Sequence, residues 1–155
     1  MSGVSSETVN PGRPLAAFLE ETSLSWTVAG SGWLADTGTV SIRAEANGDV
    51  AVFASELIQW EDLAAPARRA LAAFVDELNR RWRPARGLLS NDKLVVQVVL
   101  SAAAWGPDEI DRAVEALLFA HSRAKQECAA LLHEQVAQLY LQFHEGDNSD
   151  GNHDD

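Results

Sequence analysis

The sequence predicts an α+β domain, a twisted antiparallel sheet packed by helices in the order α-β-β-β-α-β-β-α. Three observations carry that expectation. TVSIRAEANGDVAVFASEL alternates in polarity on both sides of an Asn-Gly turn. LVVQVVLSA, residues 94–102, is apolar on both faces. Apolar residues recur at helical spacing from about Asp62 to Asn79, and again from Asp108 to Phe143. A period of two marks a strand with one covered face, and a period near 3.6 marks a helix with one.

Taken in order, Pro14 opens PLAAFLEE, where Leu15, Phe18 and Leu19 fall at i, i+3, i+4, the spacing of a short helix with Pro in its first turn. SLSWTVAGSGWLAD is aromatic and β-branched but broken by Gly30 and Gly32, which predicts one strand with an irregular start. Val40, Ile42 and Ala44 alternate with Ser41, Arg43 and Glu45, and Val50 and Val52 alternate with Ala51 and Phe53. Between them Asn47-Gly48 tolerates positive φ, the need of a type I′ hairpin. In the next helix Leu63, Ala67, Leu71, Phe74, Val75 and Leu78 lie near one stripe. Pro84 stops it or marks an edge strand, and LSNDKLV predicts a second hairpin turning at Ser90–Asp92. WGPDE then starts the last helix, with Pro in the first turn and two acids at its positive end. With no Gly or Pro until Gly146, a continuous helix over 108–143 would span roughly 54 Å. A globule of this size is about 35–40 Å across. Such a helix overhangs, bends, or packs on a second molecule, and its length argues for a homodimer; the competing explanation is a bend near Arg123–Glu127 that folds its end back on the same chain.

A length of 155 residues suits one domain, here 13–144, between a disordered N-terminus at 1–12 and an acidic disordered tail at 145–155. The single cysteine, Cys128, forms no internal disulfide. The N-terminus has neither the basic start nor the apolar core of a signal peptide, and no apolar run reaches the roughly 18–20 residues of a membrane span. A cytoplasmic protein without membrane contact is expected. The formal charge of -11 disfavours nucleic acid and suits a partner with a basic surface.

Site chemistry is sparse. His121, His133, His144 and His153 make no i, i+4 pair and no HExxH, so neither metal nor cofactor is expected. His121, near Leu117 and Leu118, reads as a partly buried structural histidine. Ser31 lies in no nucleophile motif, and Cys128 stands among alanines and leucines like a small core residue. The acids gather at helix starts, where they serve the helix dipole. No catalytic residue is assigned. NRRWRPAR, with Arg80, Arg81, Arg83 and Arg86 around Trp82, has the parts of a single-strand nucleic acid grip, but also of a solvated helix end or an acidic-protein contact.

The features PLAAFLEE, the paired strands around ANGD, the helix to DELNRRW and LVVQVVLSAAAWGPDEIDRAVEALL resemble the YbjN family of candidate bacterial regulators. Beyond that family they resemble the type III secretion chaperone fold. The resemblance covers roughly residues 14–143. It implies a dimeric, client-binding scaffold. The expected function is therefore a non-enzymatic adaptor or chaperone-like regulator binding another protein, with basic DNA- or RNA-handling proteins among the candidate clients. The alternative is direct single-stranded nucleic acid binding. The residues expected at the partner or dimer contact are Trp82, Arg83, Leu132, Val136, Leu139, Tyr140 and Phe143.

Overall fold

The computed structural model describes residues 14–81, 84–90 and 92–153, the last nine by backbone alone. The expected disordered N-terminus lies outside the described residues. Helix α1 (Leu15–Leu19) buries Leu15, Phe18 and Leu19. It is tied to the last part of the chain by Ser23, whose backbone N–H and hydroxyl both donate to the Asp111 carboxylate at 3.0 Å.

The stretch expected to be one strand is a tight hairpin, β1 (Thr27–Ala29) and β2 (Gly32–Asp36). Gly30 turns it with a φ of 60°. The next hairpin, β3 (Ser41–Asn47) and β4 (Val50–Gln59), corrects the expected turn type. Asn47 pairs with Val50, so the two loop residues are Gly48 and Asp49. Only Gly48, at 63°, has positive φ. One left-handed glycine at the first loop position is the type II′ pattern, which also suits the strand twist.

Helix α2 (Ala65–Arg81) follows, then β5 (Arg86–Leu89) and β6 (Lys93–Ser101). The helix starts three residues later than Asp62 because Asp62 has a φ of 50°, in the left-handed region that no right-handed helix accommodates. The sheet order is β1-β2-β3-β4-β6-β5, with every neighbouring pair antiparallel.

Both long helices cover the same face of this sheet. Ser55, Val96 and Gly87 lie on one rung across β4, β6 and β5. Ser55 bonds His121 of helix α3 (Pro107–Cys128), while a Cβ at Gly87 would face Val75 and Leu78 of α2. The covered face carries Ile42, Ala44, Ala51, Phe53, Leu94, Val96 and Val98, all buried. Arg81 at the end of α2 meets Glu127 of α3 at 2.9 Å. Exposed pairs of this kind contribute about 0–1 kcal/mol, so the packed helices hold the layer together.

The single helix expected from Asp108 to Phe143 is two helices. Helix α3 ends at Cys128, Ala129–Leu132 form one 3-10 turn, and His133 is extended, with φ -85° and ψ 125°. Helix α4 (Glu134–His153) then folds back onto α2. It continues past residue 145, where the tail was expected to begin. The break follows Cys128, just beyond Arg123–Glu127, where the competing explanation put a bend, so the overlong helix that argued for a homodimer is not formed. No helix-breaking residue dictates it. Folding back buries Leu131, Ala137 and Leu141, and each fully buried leucine is worth about 1.5–3 kcal/mol. That outweighs the few helical hydrogen bonds given up at the break, one of which is replaced by the tighter bond from His133 N–H to Ala130 O. No helix among the described residues is long and apolar enough to cross a membrane.

Candidate functional site: an apolar stripe and a slot in the sheet

Two surface features survive once the core is assembled. The first is on α4. Its inner side, with Ala137 and Leu141, is buried, and Leu132 and Tyr140 pack partly against the core. Val136, Leu139 and Phe143, at i, i+3, i+7, point away and are 39%, 56% and 74% exposed. Tyr140 lies between the two sides, its ring stacked on His144 at 4.4 Å. Of the seven expected contact residues, α4 and the turn before it therefore collect five. Trp82 and Arg83 lie outside the described residues.

The sheet face turned away from the helices is bare among the described residues. One rung runs through all six strands as Thr27, Leu34, Arg43, Ala54, Gln97 and Arg86. Neighbouring positions add Val99 and Leu88, which are both exposed. The sheet edges are poor templates for another strand. Strand β1 has three residues, and on β5 both backbone groups of Gly87 are taken by the Asn79 side chain, at 2.6 and 3.2 Å. Side-chain contact is favoured over strand addition.

The second feature is a slot. Pairing of β3 with β4 ends at Arg43↔Ala54, although β4 runs on to Gln59 paired only with β6. The strands diverge there, opening a cavity of about 510 Å³ from the bare face towards α3. Leu34, Val40, Ala54 and Val95 form its carbon walls, while Ser55 and His121 stand at its inner end.

Ser55 Oγ and His121 Nδ1 are 2.8 Å apart, and both residues are buried. Sequence reading placed His121 against leucines but missed the serine. The signal was available: Ser55 takes the inward position of Ala51, Phe53 and Leu57, where a polar residue needs a partner. Among the described residues no carboxylate bonds the ring, and burial, with the Lys125 charge one turn away, lowers its pKa below 6.5. That weakens it as a base. Cys128 is equally inert, since burial pushes its thiol up to about 12.

The depressed His121 pKa predicts how stability depends on pH. The unfolded ring takes up a proton near 6.5, before the folded ring does. As pH falls below that value the unfolded state binds more protons, so stability is lost until the folded ring also protonates. Melting temperature should be flat just above pH 6.5 and fall below it. The double substitution His121→Leu/Ser55→Ala removes both polar groups and should flatten part of that fall. An unchanged slope in the double variant would assign the whole effect to carboxylates.

The architecture is the YbjN-type α+β fold expected from the sequence. The crystal structure of YbjN from E. coli, described as a candidate transcription regulator, matches with a TM-score of 0.58 at 17% identity, over 75% of this chain and 89% of that one. Likenesses to two complexes are weaker. They are ExoU–SpcU from the type III secretion system of Pseudomonas aeruginosa, with a TM-score of 0.45, 15% identity and coverage of 66% and 80%, and ExsC–ExsE, with 0.48, 12%, 70% and 77%. No family model and no curated protein sequence matches the chain.

Proposed function

We propose that this protein is a non-enzymatic, cytoplasmic adaptor that works by binding proteins: a second copy of itself and a client with a basic surface. The observation that carries the reading is the stripe Val136, Leu139 and Phe143 on α4. Its helix is anchored through the opposite side, so the exposed side is presented in a fixed geometry. Large apolar side chains in a row on a rigid helix are the anchors of helix-mediated interfaces. The overall acidity favours encounter with a basic client, a DNA- or RNA-handling protein being one candidate, and repels acidic competitors.

Self-association is tested by light scattering over a dilution series. A mass that stays at 16.8 kDa up to high micromolar concentration removes the dimer. Oligonucleotides test the nucleic acid alternative. Binding at physiological salt should be weak, because the chain's charge opposes phosphate. Sub-micromolar affinity for a single strand, lost on Trp82→Ala or Arg83→Glu, would replace the adaptor reading.

A further inference from the structure

We infer that the slot between β3 and β4 binds a small organic anion, a carboxylate carried on a compact apolar body. Its volume of about 510 Å³ falls within the roughly 300–1,000 Å³ typical of small-molecule sites. The walls divide by chemistry. Leu34, Val40, Ala54 and Val95 supply carbon, whereas Arg43, Lys93 and Lys125 stand against one carboxylate, Glu56. Lys93 lies 3.2 Å from Glu56 and Arg43 lies 2.8 Å from Glu45. Lys125 has no ion-pair partner among the described residues. A chain of charge -11 thus keeps a local excess of cations around a cavity. An excess of one sign of charge around a low-dielectric cleft concentrates the opposite ion.

The inner end supplies direction. His121 is 5% exposed, its Nδ1 is engaged by Ser55, and its Nε2 has no hydrogen-bond partner among the described residues. When Ser55 donates to Nδ1, the neutral ring keeps its hydrogen on Nε2, a donor suited to a carboxylate oxygen. A buried donor without a partner is costly, and a bound oxygen relieves that cost. The stripe on α4 contributes nothing to this cavity, so the site is independent of the protein-binding reading.

The test uses the full chain and three probes that share one body: phenylbutyrate, phenylbutyramide and phenylbutylamine, followed by amide NMR. Phenylbutyrate should saturate a single site, with shifts centred on Val40, Ser55, Val95 and His121. The neutral amide should bind about tenfold more weakly, and the amine more weakly still. Lys93→Met/Lys125→Met should weaken phenylbutyrate by about tenfold, whereas Arg112→Met, which removes an exposed cation outside the slot, should not. Lys125 and Arg112 are exposed and Lys93 is half-buried, and the folds of both variants are checked by the same spectra. No saturation in the millimolar range overturns the proposal. So does equal affinity for the amide, shifts centred elsewhere, or an unaffected double variant.

Discussion

Leu139→Asp should leave the monomer folded and abolish self-association. On α4 the side chain is 56% exposed, so the folded monomer loses little by the change: about 0.5 kcal/mol of helix propensity. At an interface the same aspartate would be a buried charge without a partner, a cost of about 3–5 kcal/mol. That weakens a dimer by about a hundredfold or more. Phe143→Ala should act in the same direction but less strongly, because it removes contact without adding charge. Sedimentation velocity across a dilution series, with circular dichroism as the check on folding, measures both. If Leu139→Asp stays as dimeric as the parent chain, the interface is not on α4. The bare sheet face would then be the place to look, with Val99→Asp as the next variant.

The largest effect on stability is expected from Phe53→Ala. Phe53 is fully buried at the middle of the sheet, on the rung Trp33, Ala44, Phe53 and Val98, and meets the edge of Trp26 at 6.0 Å between ring centroids. Truncation removes that burial and leaves a cavity beneath α3, at a cost of about 3–5 kcal/mol. Domains of this size are stable by about 5–15 kcal/mol, so the variant should lose a large share of the whole. Urea denaturation gives the number. A loss below about 1 kcal/mol would mean that the sheet and α3 close over the gap, contrary to the rigid packing expected of such a core.

Much of the fold was legible because local patterning and global packing agree. Ile42 and Ala44 were marked by alternation and are buried. Leu71, Phe74, Val75 and Leu78 were marked by helical spacing and are buried too. Pro107, Asp108 and Glu109 marked the start of α3 where it begins. Turn chemistry was legible only in part. Asn47-Gly48 located the hairpin, but the central pair moved by one residue, since only the strand register decides which two residues turn. The same limit hid the β1–β2 hairpin, whose Gly30 was read as an interruption of one strand.

The candidate site was legible residue by residue and not as an arrangement. Val136, Leu139 and Phe143 were recognised as an apolar stripe, yet nothing local said that Leu131, Ala137 and Leu141 would be buried on α2. The slot was invisible, because it exists only where two paired strands part, and the lone Lys125 has no meaning until β4 and α3 are side by side.

By itself, then, the sequence located the main strands and helices and the stripes they would bury, because periodicity and turn chemistry act over a few residues. The tertiary structure alone decided that the chain turns back after Cys128. The segment from Ala129 to His133 contains no Gly or Pro and is free to be helix, and only contact with a distant surface makes the turn the lower-energy choice. That contact sorts the apolar residues of α4 into those that close the core and those left for another molecule.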